Sequence, residues 1–235
     1  MTLEHEVKFA LPSFAPIRAA LGRLGAVFGR RCLERNLVLD DRKRSLTRSG
    51  RLLRLRRDEK NTLTFKSPPV GGEGVTGLKV MREIETEVGD LGALSEIFAA
   101  LGYEPALRYE KIRETWRVGG LTVCLDLLPF GRFAEIEGPP GDIAGLAAGL
   151  GLSMESALVQ TYHDLHRRAA QDAFAPDAGD PGMDAADAFA PDRPYPERDI
   201  LFARAIREKA LTNEGLAFLM EYGENDPGAV EVETG

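Results

Sequence analysis

Apolar residues recur at every second position in residues 3–10, 33–40, 51–57, 61–66, 78–88, 109–118, 121–128 and 132–137. Successive side chains of a strand point to opposite faces, so this period predicts eight strands. Helical spacing occurs at Ile17, Leu21 and Leu24, at Leu91, Leu94, Ile97, Phe98 and Leu101, and at Leu158, Tyr162 and Leu165. A further short helix is expected to start at Asp142, as an N-cap before Ile143, Leu146 and Leu150. Many alternating strands with few helices give an α+β class with mostly antiparallel pairing.

The face that is not apolar carries charge. Glu4, Glu6 and Lys8 share one side of the first strand, with His5, Val7 and Phe9 on the other. Arg54 and Arg56 oppose Leu53 and Leu55, Lys66 opposes Phe65, Lys111 and Arg113 oppose Ile112, and Glu135 and Glu137 oppose Ile136. Asp126 ends the alternating run LTVCLD. One solvated sheet face is ordinary for a single strand, but such faces usually mix Ser, Thr, Lys and Glu. Here several strands carry pairs of one sign at i and i+2, where like charges repel. Lys and Arg clusters are compensated by a polyanion, and clustered carboxylates by a hard cation such as Mg²⁺ or Mn²⁺. Both together point to metal-bound polyphosphate.

Composition narrows the setting. With 235 residues, 43% hydrophobic and 29% charged, the chain suits one globular domain with an appendage. No apolar run approaches the ~18 residues of a membrane span. The start, MTLEHEVKF, has no apolar signal segment, so a cytoplasmic protein without a membrane partner is expected. Cys32 and Cys124 have neither CxxC nor His partner spacing, and neither a disulfide framework nor a cysteine zinc site is expected. The net charge of −7 is uneven: from residue 172 onward 15 acidic residues face 5 basic ones, a balance of −10 that leaves +3 before it. DAFAPD at Asp172 to Asp177 recurs at Asp187 to Asp192 within an Ala/Asp/Pro/Gly-rich stretch. Three segments follow: a domain over 1–170, a linker over 171–196, and a helical acidic tail over 197–235 carrying Ile200, Leu201, Leu216 and Leu219.

The ordered set of ExExK at Glu4, Glu6 and Lys8, LRLR at Leu53 to Arg56, TFK ending at Lys66, KIR at Lys111 to Arg113, and LDLLPFGRFAEIEG from Leu125 resembles the CYTH superfamily, the triphosphate tunnel metalloenzymes. By layout it is similar to class IV adenylyl cyclases and thiamine triphosphatases. The resemblance covers roughly residues 1–170. It implies an eight-stranded antiparallel closed β-barrel with flanking helices, a charged, water-filled lumen, and a short helical C-terminal extension outside it. It also implies metal ligation by Glu4, Glu6, Asp126, Glu135 and Glu137, and triphosphate binding by Lys8, Arg54, Arg56, Lys66, Lys111 and Arg113. Catalysis is then expected to rest on Glu4, Glu6, Lys8, Lys66, Lys111 and Asp126. The resemblance further implies ATP, inorganic triphosphate or thiamine triphosphate as the substrate, and cyclisation with release of pyrophosphate or hydrolysis as the reaction. A non-catalytic polyphosphate- or nucleotide-binding module is the alternative, and a homodimer is possible.

Relatives carry an Arg in register with the acids of the fifth strand, whereas MREIETE puts Arg82 opposite Glu83, Glu85 and Glu87. Either a bulge shifts the phase or that contact is missing. His5, His163 and His166 are read as surface or packing residues, and Trp116 as packing. Arg42, Lys43, Arg44, Arg48 and Arg51 form a basic turn, either a solvated loop or a funnel at the tunnel mouth. Basic residues interleaved with acids, and aromatics at only 7%, argue against nucleic acid as a partner.

Overall fold

Strands that are apolar on one side and charged on the other can bury the apolar side under helices and curl the charged side inward. The computed structural model has this arrangement. It describes residues 2–165 apart from 72, 73, 76 and 163; the expected linker, acidic tail, His163 and His166 lie outside the described residues. Eight strands form a closed barrel: β1 (Thr2–Leu11), β2 (Val27–Asp41), β3 (Leu52–Arg57), β4 (Asn61–Ser67), β5 (Lys79–Glu87), β6 (Tyr103–Val118), β7 (Leu121–Leu128) and β8 (Gly131–Glu137). Their order around the barrel is β1-β5-β4-β3-β2-β6-β7-β8, every pair antiparallel, with β8 returning to β1.

Helices α1 (Ala15–Arg23) and α4 (Pro140–Gly149) cover one side of the outer face. Ile17, Leu21, Ile143 and Ala147 pack there on Val7, Phe9, Val123, Leu125 and Ile136. A second outer core joins Leu37, Leu39, Leu53 and Leu55 to α2 (Ser45–Arg48) through Leu46 and to α3 (Leu91–Ala100) through Leu91 and Leu94. Asp90 caps α3, its carboxylate accepting from Ala93 N at 3.0 Å. The β6–β7 hairpin turns through Gly119 and Gly120, both at positive φ (56° and 82°), as a two-residue turn of this twist requires.

Three expectations need correcting. β2 and β6 each start six residues earlier than their alternation shows, and they pair along nearly their whole length. Register shifts near Phe28 and Val38 break the period there, which hides the extension from a period count. Asp142 is not the cap of α4: Pro139 holds that place and Asp142 lies in the first turn. Leu158 is not helical; it forms an isolated antiparallel bridge with Lys8, its N–H donating to Lys8 O at 2.7 Å.

Candidate functional site

The alternation of every strand delivers one charged set to the lumen, and cross-strand pairing fixes its levels. Glu6 faces Lys79 on β5 and Glu137 on β8; Lys8 faces Glu135. Lys66 faces Glu83, Arg113 faces Asp126 and Cys32, and Lys111 faces Glu34. A buried charge is tolerable only when paired and hydrogen-bonded. Lys111 Nζ lies 3.1 Å from Asp126 Oδ2 and 3.4 Å from Glu34 Oε2, and all three side chains are buried. Arg113 donates Nε–H to Asp126 Oδ1 at 2.7 Å and also pairs with Glu135. Lys8 lies 3.0 Å from Glu135.

These contacts set the charge states. Burial alone raises the Glu34 carboxyl, but Lys111 and Arg113, then Arg56 and Arg54, bring it down to about 2. Glu135 is likewise held well below the carboxylate range against burial, by Lys8, Arg113 and Lys111. Lys111 stays protonated, with Asp126 and Glu34 outweighing burial and the repulsion of Arg113. The cationic wall also holds Arg54, which donates to Tyr109 Oη at 3.3 Å and Thr64 Oγ1 at 3.4 Å, and Arg56, 3.3 Å from Glu85. The Nε–H donors of Arg54 and Arg56 are buried with no hydrogen-bond acceptor, although Arg56 Nε lies 3.7 Å from Asp58 Oδ2 in an ion pair. An orphaned guanidinium donor calls for an oxygen acceptor from a ligand.

The opposite corner is acidic. Glu4 pairs with Lys66, which also lies 3.5 Å from Glu83, and Glu6 pairs with Lys79 at 2.7 Å. Glu137 at the rim has no ion-pair or hydrogen-bond partner among the described residues. Desolvation of its carboxyl and then the neighbouring Glu4, opposed by Lys66 and reinforced by Glu6 and Glu83, push it up to about 7. Glu4 is also raised, by burial and then by Glu6 and Glu83 against Lys66. Against burial, Lys79 holds the Glu6 carboxyl below its ordinary value. Four carboxylates around two ammonium groups form an oxygen donor set that fits a hard divalent cation.

Of the expected ligands, Glu4, Glu6 and Glu137 converge on this corner. Glu135 lies between it and the cations, and Asp126 contacts Lys111, Arg113 and Tyr162 instead of Glu4 or Glu6. Carboxylate and thiol atoms of Cys32, Glu34 and Asp58 also lie within 4.8 Å of one another. There the carboxylates are already engaged, Glu34 by Lys111 and Asp58 by Arg30 at 3.2 Å, and burial and then Glu34 push the Cys32 thiol up to about 11. That trio suits ion pairing better than a hard cation.

Glu34, Lys79, Tyr109 and Tyr162 escape a reading by charged alternation. Glu34 lies between Cys32 and Asn36 on the inner face of β2, Lys79 is separated from Glu83 by Met81 on that of β5, and Tyr109 and Tyr162 look apolar. The signal for Glu34 and Tyr109 is the β2–β6 register, which sets Glu34 opposite Lys111 and Tyr109 two residues from Lys111 on the same face. Arg82 is on the outside: the β5 register runs unshifted from Glu6/Lys79 to Thr2/Glu83 and from Lys66/Glu83 to Ser67/Arg82.

The lumen is not charged along its whole length. Leu107, Tyr109, Leu128 and Phe133, in phase with Lys111, Asp126 and Glu135, pack with Tyr162 into an apolar cluster at the end where β2 reaches Asp41. The basic turn after Asp41 lies at that end, away from the acidic corner, and is solvent-exposed at Arg42, Lys43, Arg48 and Arg51.

A family model described as CYTH domain matches residues 2–162. A protein named as a candidate adenylate cyclase in Methanocaldococcus jannaschii is 24% identical over 143 residues, 60% of this chain and 79% of that protein. A candidate adenylate cyclase from Vibrio parahaemolyticus superimposes with a TM-score of 0.62 at 21% identity, covering 71% of this chain and 98% of the other. A candidate adenylyl cyclase from Hippeastrum, described as revealing a dominant triphosphatase activity, superimposes with a TM-score of 0.52 at 24% identity, covering 70% and 95%.

Proposed function

The chain belongs to the CYTH domain family, and from that premise we propose that it is a metal-dependent enzyme acting on triphosphate-containing substrates, as an adenylyl cyclase or a triphosphatase. The observation that carries this reading is the lumen itself. A cationic wall with unsatisfied buried Nε–H donors on Arg54 and Arg56 faces a corner of crowded carboxylates.

Lys8, Arg54, Arg56, Lys66, Lys111 and Arg113 hold the phosphate chain. Asp126, Glu34 and Glu135 keep the cations charged and oriented, so that no reorganisation is required when phosphate oxygens arrive. Glu4, Glu6 and Glu137, with Glu83 beside them, would hold Mg²⁺ or Mn²⁺, which when bound would supply charge neutralisation at the phosphoryl oxygens and activation of the nucleophile. Lys66, already between Glu4 and Glu83, joins the acidic corner to the phosphate. The nucleophile decides the product: water on a terminal phosphorus gives orthophosphate, and a ribose 3′-hydroxyl on the α-phosphorus of ATP gives cyclic AMP and pyrophosphate.

Ion-exchange product analysis tests this, with Mg²⁺ or Mn²⁺ and separately ATP, inorganic triphosphate and thiamine triphosphate. Cyclic AMP with pyrophosphate identifies the cyclase, and orthophosphate identifies the triphosphatase. Tight binding without product places the chain among polyphosphate-binding modules.

A further inference from the structure

The strand pattern accounts for the charged lumen but not for what ends it. After the 3₁₀ turn Met154–Ser156, the chain bridges Lys8 through Leu158 and delivers Tyr162 into the barrel. Tyr162 is 8% exposed, and its hydroxyl donates to Asp126 Oδ2 at 2.7 Å. Its ring centroid lies 3.8 Å from Lys8 Nζ and 5.3 Å from Lys111 Nζ. The ring also meets Phe133 edge-on at 5.2 Å, with Leu107, Leu128 and Tyr109 in the same cluster. Tyr162 thus stands at the boundary between the phosphate-binding cations and the apolar half of the lumen.

We infer that Tyr162 is the floor of the tunnel and sets the length of phosphate chain the site accepts. The inference rests on the reading of the lumen as a triphosphate site. An anionic chain entering from the acidic end meets oxygen-seeking donors up to Lys8 and Lys111. Beyond them it meets aromatic and aliphatic surface that cannot solvate a phosphate. The ring does not compete for the two ammonium groups, because a cation–π contact is weaker than a charge-assisted hydrogen bond to phosphate. It blocks the path and takes no hydrogen bond from either lysine, so Lys8, oriented by Glu135, and Lys111, oriented by Asp126 and Glu34, keep donors for a terminal phosphate. Burial and the neighbouring Asp126 keep the phenol protonated, so the floor adds no negative charge.

The test compares the full chain with its Tyr162→Phe and Tyr162→Ala variants on inorganic triphosphate, tetraphosphate and long-chain polyphosphate, with Mg²⁺. Turnover is read as kcat/KM, and binding as the thermal shift produced by each chain. Wild type and Tyr162→Phe are expected to prefer triphosphate. In Tyr162→Ala the tetraphosphate-to-triphosphate ratio is expected to rise about tenfold or more, chiefly through KM, on the scale of a reshaped pocket wall. An unchanged ratio in a cooperatively folded Tyr162→Ala overturns the floor, as does wild type accepting tetraphosphate and long chains as well as triphosphate. A rise in Tyr162→Phe equal to that in Tyr162→Ala overturns it as well, since the bond to Asp126 would then set the preference instead of the ring. Where Tyr162→Ala does not fold, Tyr162→Leu and the wild-type chain series decide. Failure of wild type to bind any phosphate chain overturns the triphosphate reading and the floor with it, a result distinct from an unchanged ratio in a protein that binds triphosphate.

Discussion

Lys111 and Glu34 stand directly opposite each other in the β2–β6 ladder, both buried, with Nζ 3.4 Å from Oε2. Glu34 is the internal counter-ion of the cationic wall. Neutralising it leaves Lys111 and Arg113 with less compensation, although Asp126 remains. Glu34→Gln is expected to lose about 3 kcal/mol in urea unfolding, the lower end for breaking a buried pair. Added triphosphate should restore more stability to this variant than to wild type, because the ligand replaces the lost anion.

The same residue gives an acid signature. Its folded pKa, about 2, lies below the ordinary 4.5, so the stabilisation is complete above about pH 4.5 and is lost as pH falls toward 2. Wild type and Glu34→Gln should therefore differ most near neutrality and converge in acid. A constant gap from pH 6 to pH 2 would contradict the ion-pair account.

Lys66 joins Glu4 and Glu83 and faces the lumen. Lys66→Ala is expected to reduce kcat/KM about 100-fold, ~2.7 kcal/mol, the scale for removing one preorganised charge-stabilising donor. In metal-free protein the variant should also melt lower, because Glu4 and Glu83 lose the ammonium between them, and Mg²⁺ should recover part of that loss. Steady-state kinetics and melting with and without Mg²⁺ check both.

Alternation made eight mostly antiparallel strands with one charged face legible; their closure into a barrel was legible only through the resemblance that the ordered charged motifs carry. The like-charged pairs Arg54/Arg56 and Lys111/Arg113 were legible for the same reason: repulsion at i, i+2 demands a partner. Glu34 was not, since a single acid between Cys32 and Asn36 on one strand face looks solvated until its pairing with Lys111 across the β2–β6 ladder is known. Tyr162 was hidden by spacing that imitates a helix with Leu158 and Leu165, while tertiary contact with Lys8 places Leu158 in a β-bridge. The apolar half of the lumen was hidden too, because Leu107, Leu128 and Phe133 count as core wherever they point.

Glu137 predicts a metal-dependent response to pH. Its folded pKa, about 7, exceeds the ordinary 4.5, so the folded state holds the proton more tightly and the metal-free protein loses stability as pH rises from about 4.5 to 7. A divalent cation binds the ionised carboxylate, so Mg²⁺ affinity should rise over the same interval and release protons. Melting curves with EDTA and with Mg²⁺ from pH 5 to 8 should diverge upward in pH. Glu137→Gln should flatten the EDTA series and weaken Mg²⁺ binding.

Arg82 supplies the contrasting case. It pairs across β5 with Leu3 and Ser67, and its neighbours Met81 and Glu83 point into the lumen, so its side chain leaves the barrel on the outer face. A role at the phosphate would require a one-residue phase shift in β5, and that shift would turn Glu83 and Glu85 outward as well. Arg82→Ala is therefore expected to leave KM and kcat within about twofold, the range of surface substitutions. Arg56→Ala, which removes a buried lumenal Nε–H without an acceptor, should raise the triphosphate KM about tenfold, the scale of a charge-assisted hydrogen bond. Equal losses in the two variants would mean that β5 is out of register with its neighbours, and would move the acidic corner with it.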